Sequence, residues 1–268
     1  MRIMITGSNG FIGSQLSIYL KEYGHRVFDC NRTTLDLIDA KAVQTFFASN
    51  FFDMVIHCAL VGRENIYSND ENIVKDNIKM WDNLVNNRHR FRKLINFGSG
   101  HEFDITTDIN FAEEQDIFSI EPEMPYGKAK SMIARDLVQY ENFYNLRVFG
   151  IFHYTESPKR FFRKIATSSK RDFHIDQDKY VDYINLEDIF PMVDIIINNE
   201  AKHRDINLVY QEKLLLSEMA HMFNNITMSN ANIIINHEFV GLSYTGDFRR
   251  FNSYNTMKMG FPLGFLRY

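Results

Sequence analysis

The sequence predicts a doubly wound α/β fold, a parallel sheet with helices on both faces and a smaller C-terminal lobe. Two observations carry that reading. Short apolar runs alternate with longer helical patterns through the first half of the chain, and a glycine-rich turn joins the first run to the first helix. Strands that alternate with helices imply right-handed crossovers and parallel pairing.

Taken in order, Arg2–Thr6 reads as a strand and Gly13–Tyr23 as a helix with Leu16, Ile18, Tyr19 and Leu20 as its apolar residues. Arg26–Cys30 is a second strand and Ala40–Ser49 a second helix; Met54–Ala59 and Asn72–Asn87 repeat the alternation. Lys93–Phe97 is a fourth strand, Pro125–Tyr144 a long helix, and Leu146–Phe152 a return to strand. Beyond Phe152 the rhythm changes: Thr155–Ser168 reads as a basic, aromatic helix, Tyr180–Ile184 as a short strand, and Leu186–Asn198 and Leu214–Asn225 as helices. Ser243–Tyr268 shows no clear period. Residues 1–152 are therefore expected to form the main domain, with 180–198 returning to it, and 153–268 mostly the smaller lobe.

Composition narrows the class. The chain has 268 residues, 45% hydrophobic and 24% charged, enough for a real core. Its net charge of -4 leaves no broad basic surface for nucleic acid. Two cysteines, Cys30 and Cys58, build no disulfide framework and suit a reducing compartment. No apolar run is long enough to span a membrane, and the start lacks the unbroken apolar stretch of a secretory leader, so a cytoplasmic protein is expected. None of the 9 histidines has a metal-ligand spacing, so no metal is expected.

The segment Gly7-Ser8-Asn9-Gly10-Phe11-Ile12-Gly13 lies between the first strand and the first helix. Glycines there allow a tight turn, close approach of backbone to a diphosphate, and close packing of helix on strand. The diphosphate would meet the N–H groups and positive dipole of the helix start. This marks a Rossmann-type NAD(P)-binding domain with Gly7, Asn9, Gly10, Phe11, Ile12 and Gly13 as cofactor residues. The end of the second strand reads Phe28-Asp29-Cys30-Asn31-Arg32. Asp29 could accept from the ribose 2′-hydroxyl of NAD, whereas Arg32 suits the 2′-phosphate of NADP. NADP is the preferred expectation and NAD the alternative.

Tyr126 and Lys130 are four apart at the start of the long helix, which places both on one face. A phenol is ordinarily too weak an acid to trade protons near neutrality; a neighbouring ammonium and a positively charged nicotinamide ring both favour the phenolate. Pro125 suits the first helical turn, where no N–H donor is needed. Phe97-Gly98-Ser99-Gly100-His101 follows the fourth strand, at the sheet edge where such folds bind ligands. Ser99 would hydrogen-bond a substrate carbonyl. His101 is either a second acid or base, since imidazole titrates near neutrality, or a loop histidine with no catalytic role. Cys58 reads as a small buried filler, and Trp81 as core or subunit interface.

Gly7, Gly10, Gly13, Ser99, Tyr126 and Lys130 together resemble the extended short-chain dehydrogenase/reductase family, and within it the nucleotide-sugar reductases and epimerases related to GDP-fucose synthase. Arg32–Asp39, Ala42-Val43 and Phe46–Ser49 are similar to that group at the same place. The resemblance implies that Arg32 meets the NADP 2′-phosphate, that the Asp39 region lies by the adenine, that Ala59 borders the cofactor and that Asn77 lies near the site. It also implies that Lys130 holds the nicotinamide ribose, that Gly100 and Arg160 flank the substrate, and that two copies pair through the helices of Asn72–Asn87 and Pro125–Tyr144. Asp182-Tyr183-Ile184 with Glu187-Asp188 resembles the stretch that returns the chain to the main domain. Two departures stand out: His101 and Arg160 occupy the places of the cysteine and histidine that epimerise the sugar in GDP-fucose synthase, and Val181 replaces an arginine. Epimerisation at C3 and C5 is therefore not expected. The expected activity is reduction of a nucleotide-linked keto-sugar at C4 by NAD(P)H, with Tyr126 as proton donor. A 4-epimerase with tightly held NAD and a non-catalytic dinucleotide-binding protein are the alternatives.

Overall fold

A computed structural model describes residues 1–62, 67–237, 239–254 and 259–268. The chain divides into two compact units, Met1–Asp104 with Gln115–Arg147, and Ile105–Glu114 with Val148–Tyr268.

The first unit contains β1 (Arg2–Thr6), α1 (Phe11–Glu22), β2 (Arg26–Cys30), α2 (Ala40–Ala48), β3 (Phe52–His57), α3 (Asn72–Asn86) and β4 (Phe91–Ser99). β5 (Ile109–Ala112) belongs to the second unit; α4 (Pro125–Leu137) and β6 (Phe143–Val148) then complete the first. The central sheet has six strands, and those of the first unit run in the order β6-β4-β3-β1-β2. β1 pairs parallel with β2 and β3, and β3 with β4. Ile3, Met4 and Ile5 are fully buried, as expected of a central parallel strand covered on both faces.

Alternation along β2 shows the two faces. Phe28 and Cys30 join a core with Val43 and Phe47 of α2, Trp81 and Leu84 of α3, and Ile133 and Leu137 of α4. Asp29 between them turns the other way and bonds Ser17 and Lys21 of α1. Burying each large apolar side chain of this core contributes about 1.5–3 kcal/mol. Trp81 is 1% exposed, and its indole N–H donates to Asp136 at 2.7 Å, so it is core.

The strand order reverses at β1. The chain moves from β1 outward to β2 and then crosses to β3 on the other side. In register, Thr6 faces Cys30 on one side and His57 on the other, and His57 faces Asn96. The segments that follow these residues therefore emerge along one edge, around the switch point where open α/β sheets bind ligands.

The second unit continues with β7 (Gly150–Phe152), α5 (Phe161–Thr167), β8 (Asp172–Gln177), β9 (Tyr183–Asn185), α6 (Phe190–Ile197) and β10 (Asp205–Leu208). α7 (Leu216–Thr227), β11 (Asn232–His237), β12 (Tyr244–Gly246), α8 (Arg249–Asn252) and α9 (Phe261–Leu266) follow. β8 pairs with β11, β5 with β12 and β7 with β9, all parallel. Phe152, Phe162, Phe223, Phe261 and Phe265 form a fully buried aromatic cluster. Asp182 is buried with Lys213 at 2.7 Å and accepts the Gly246 N–H at 2.8 Å.

Several expected boundaries move. α4 stops at Leu137, because Gln139, Tyr140 and Phe143 make turn-type bonds to Asp136, Leu137 and Tyr140. Tyr140 and Tyr144 keep a helical spacing by coincidence. The run Leu146–Phe152 is split between β6 and β7. α5 begins only at Phe161, after Pro158, whose ring disfavours helix in the residue before it. The helix expected from Leu186 opens as a 3-10 turn, and Phe190 starts α6 with Pro191 in its first turn.

Candidate active site

The glycine loop is the first piece. Gly7 has φ +65°, and a Cβ there would lie 2.7 Å from the Ala59 nitrogen. A Cβ on Gly13 would lie 2.5 Å from the Gly7 carbonyl oxygen. Gly7 thus brings β1 against the Ala59 backbone, and Gly13 lets α1 close on the loop. Gly10 is the N-cap of α1 with no side chain to cap it, and no acidic residue lies in the first turn. An uncapped, acid-free helix start of this kind fits a diphosphate. Phe11 and Ile12 open that turn, and the half-buried Ala59 donates its N–H to Thr6 Oγ1 at 3.3 Å. The residues present therefore fit a dinucleotide.

Asn9 accepts a 3.5 Å bond from Asn31 Nδ2, so an amide, not a carboxylate, sits at the end of β2 beside the loop. Asp29 is held against α1 by Ser17 and Lys21. Arg32 is 80% exposed, in a loose 3.6 Å ion pair with Asp36. Asp39 caps α2, accepting from the N–H groups of Lys41 and Ala42 at 3.0 Å each. Asn77 clamps the segment after β3: its amide donates to the Val61 carbonyl at 3.0 Å and accepts from the Val61 N–H at 3.1 Å.

Tyr126 and Lys130 lie one turn apart on α4 and are 3% and 4% exposed. Lys130 Nζ donates to the Phe97 carbonyl at 2.8 Å, which fixes the ammonium at the end of β4. Its charge also reaches the end of β3. Burial, then Lys130, hold the His57 imidazole down to about 3, so it stays neutral and bonds Thr6 Oγ1 at 2.8 Å. Burial pushes the Cys58 thiol up to about 12, against the opposing pull of Lys130. That suits a filler and not a nucleophile.

Ser99 caps a 3-10 turn over Gly100–Glu102. Its Oγ accepts the His101 N–H at 3.2 Å. The His101 ring meets the Tyr126 ring edge-on with centroids 5.3 Å apart. A Cβ on Gly127 would lie 2.5 Å from the His101 carbonyl oxygen, so α4 sits tightly on this turn. Ser99, Gly100, His101, Tyr126 and Lys130 thus belong to one cluster at the ends of β3 and β4.

Sequence reasoning missed what lies beneath. Glu102 Oε1 accepts the Ser99 N–H at 2.8 Å, while Oε2 accepts from Arg147 Nε at 2.6 Å and Asn145 Nδ2 at 3.1 Å. Asn96 donates to Asn145 Oδ1 at 2.7 Å. The Ser-x-x-Glu spacing of Ser99 and Glu102 is a capping-box signature and was the available signal.

In the second unit, Arg160 is the N-cap of α5 and is held by Glu156 at 2.9 Å and by the Ile151 carbonyl. A cleft of about 630 Å³ in that unit is lined by Lys159, Phe161, Lys164, Phe173 and Lys179, among others. Among the described residues no group of His, Cys, Asp and Glu could hold a metal, and no helix is long and apolar enough to cross a membrane.

Residues 3–208 match the model of the NAD dependent epimerase/dehydratase family. The chain belongs to this family. It is 28% identical over 120 residues to GDP-L-colitose synthase of Yersinia pseudotuberculosis, covering 42% of this chain and 38% of that one. It is 27% identical over 160 residues to CDP-abequose synthase of the same organism, covering 54% and 52%. The matches thus span about half the length of these curated relatives or less. Among solved structures, a GDP-mannoheptose C4 reductase from Campylobacter jejuni with NADP bound superposes with TM-score 0.82 at 20% identity, over 99% of this chain and 96% of that one. A UDP-glucose 4-epimerase from Thermotoga maritima gives 0.79 at 17% identity, over 99% and 96%. The family's description agrees with the expected class of NAD(P)-dependent oxidoreductases and epimerases, and the parallel six-stranded sheet is the expected Rossmann-type fold.

Proposed function

We propose that this family member reduces the C4 carbonyl of a nucleotide-linked keto-sugar with NADPH. The observation that carries the reading is the locking of the Tyr126–Lys130 turn of α4 onto the Ser99–His101 turn at the ends of β3 and β4. The names of the relatives, several of them nucleotide-sugar synthases, reductases or epimerases, support the substrate class.

The cofactor, when bound, supplies the hydride. Gly7, Asn9, Gly10, Phe11, Ile12 and Gly13 receive its diphosphate at the start of α1, with Ala59 bordering it. Arg32 takes the 2′-phosphate; the diversion of Asp29 to α1 removes the carboxylate that would prefer NAD. Lys130 spends one of its three N–H donors on Phe97 and offers the others to ribose hydroxyls. Asp39 serves the cap of α2.

Ser99 Oγ accepts from the His101 N–H, which leaves its own proton to donate to the substrate carbonyl. Tyr126 delivers a proton to the same oxygen. His101 packs on the Tyr126 ring, and Gly100 leaves room for the sugar. Arg160, the substrate residue expected from the sequence, is engaged by Glu156 and the Ile151 carbonyl.

The test is NADPH consumption with a panel of nucleotide-linked 4-keto-6-deoxyhexoses. Net, stoichiometric loss of NADPH is expected, and Tyr126→Phe should lower kcat about 10²–10⁴-fold while NADPH still binds. Unchanged turnover in that variant would remove Tyr126 as proton donor. Interconversion of C4 epimers without net NADPH loss would identify a 4-epimerase instead.

A further inference from the structure

The turn that carries Ser99 and His101 rests on a charge that the reaction does not use. Glu102 and Arg147 are both fully buried and are paired at 2.6 Å. One carboxylate oxygen takes the Ser99 N–H; the other takes Arg147 and Asn145, which is itself tied to Asn96. The Arg147 guanidinium lies over the Phe103 ring, 5.1 Å from its centroid. Gly98 is what admits this arrangement, since a Cβ there would press on Glu102 Oε1 and lie 2.6 Å from Asn145 Oδ1. Both oxygens are locked by buried partners, so neither can swing aside.

A fully buried ion pair loses more hydration than its attraction readily returns, and apolar pairs of similar volume often hold a fold equally well. Geometry is what the charge adds here. We propose that Glu102 is a positioning residue: by fixing the Ser99 backbone it holds the Ser99 hydroxyl on the His101 N–H and seats the His101 ring on Tyr126. Arg147 and Asn145 hold the carboxylate in place for that task. The geometric part stands on the structure alone; its catalytic consequence rests on the reductase reading above.

Single removal of Glu102 takes a carboxylate partner from the buried Arg147, and such a variant can fail to fold. The test therefore compares two charge-free pairs, E102Q/R147M and E102L/R147M. The glutamine can still accept the Ser99 N–H, whereas the leucine cannot. Two readouts are taken at matched thermal midpoints and matched NADPH affinity. The first is the proton NMR shift of the His101 ring, assigned with His101→Gln and sensitive to the edge of Tyr126. It should stay near the wild-type value in E102Q/R147M and move toward that of an unstacked histidine in E102L/R147M. The second is kcat with the keto-sugar panel, expected at least tenfold higher in E102Q/R147M than in E102L/R147M, with KM for NADPH unchanged.

Identical His101 shifts in wild type and both variants would overturn the positioning role, whatever the activity. A shift that depends on the acceptor at residue 102, in a protein that reduces no keto-sugar, would uphold the positioning of His101 and count against the reductase reading alone. Equal kcat in the two pairs, with an active wild type, would overturn the catalytic consequence.

Discussion

Gly7, Gly10 and Gly13 look equivalent in the sequence and are not equivalent in the structure. Gly7 holds φ +65° with Ala59 backbone where its Cβ would be, and Gly13 has the Gly7 carbonyl there. Gly10 has φ -78° and a nearest obstacle at 3.1 Å. Alanine at Gly7 should therefore cost about 1–3 kcal/mol from the left-handed backbone alone, with the clash against Ala59 added, and Gly13→Ala should also destabilise. Gly10→Ala, whose Cβ need only ease 3.1 Å from the Gly7 carbonyl, should cost less stability than either, yet weaken NADPH binding, because an added methyl sits at the helix start where a diphosphate must approach. Thermal melts paired with NADPH titrations separate the outcomes. If all three variants lost stability equally, the loop's division of labour would be wrong. The same reasoning applies on α4: Gly127→Ala meets the His101 carbonyl at 2.5 Å and should impair turnover more than NADPH affinity.

At the scale of elements, α3 and α4 are joined through the Trp81 indole and Asp136 as well as through core packing. Asp136→Ala should lower the unfolding free energy by about 1–3 kcal/mol, since it leaves a buried donor unsatisfied; urea unfolding checks it, and no change would mean that the indole N–H finds water. This level was the most legible in the sequence. β1 and β2 match their expected bounds, and the first three helices begin or end within two residues of expectation, because apolar period and turn residues agree there. The places of Tyr126, Lys130, Ser99 and the glycines in the fold were readable because each sits at a strand end or in the first two turns of a helix. Two kinds of feature escaped. β5, β8, β10, β11 and β12 are short, three to six residues each, and their partners lie far along the chain, so no local pattern marks them. The support beneath Ser99 escaped because Asn96, Glu102, Asn145 and Arg147 come from three separated segments, and a buried carboxylate in sequence looks like any surface acid.

For the molecule as a whole, the groups buried at strand ends should make stability depend on pH. His57 is 2% exposed, and burial followed by Lys130 lowers it to about 3, below the ordinary imidazole value of 6.5. The fold therefore binds His57 neutral, while the unfolded chain takes up a proton as pH falls below about 6.5. That contribution to stability is fully present above the unfolded value and is lost progressively toward pH 3, at about 1.4 kcal/mol per pH unit. Asp182 slopes the other way. Burial, opposed by Lys213, raises it to about 6, so its contribution is complete below the unfolded carboxylate value and is lost as pH rises through about 6. The two effects partly cancel between pH 4 and 6 in the wild-type protein, and a bare pH profile would hide both. His57→Gln removes one of them. The difference in unfolding free energy between wild type and His57→Gln should shrink by about 2 kcal/mol between pH 6.5 and pH 5, measured by urea unfolding at each pH. Lys213→Met leaves Asp182 buried without its cation and should steepen the loss of stability above pH 6. A His57 difference that stayed constant with pH would mean that the imidazole titrates in the fold as it does in water, and the neutral His57–Thr6 bond beneath the dinucleotide loop would have to be abandoned.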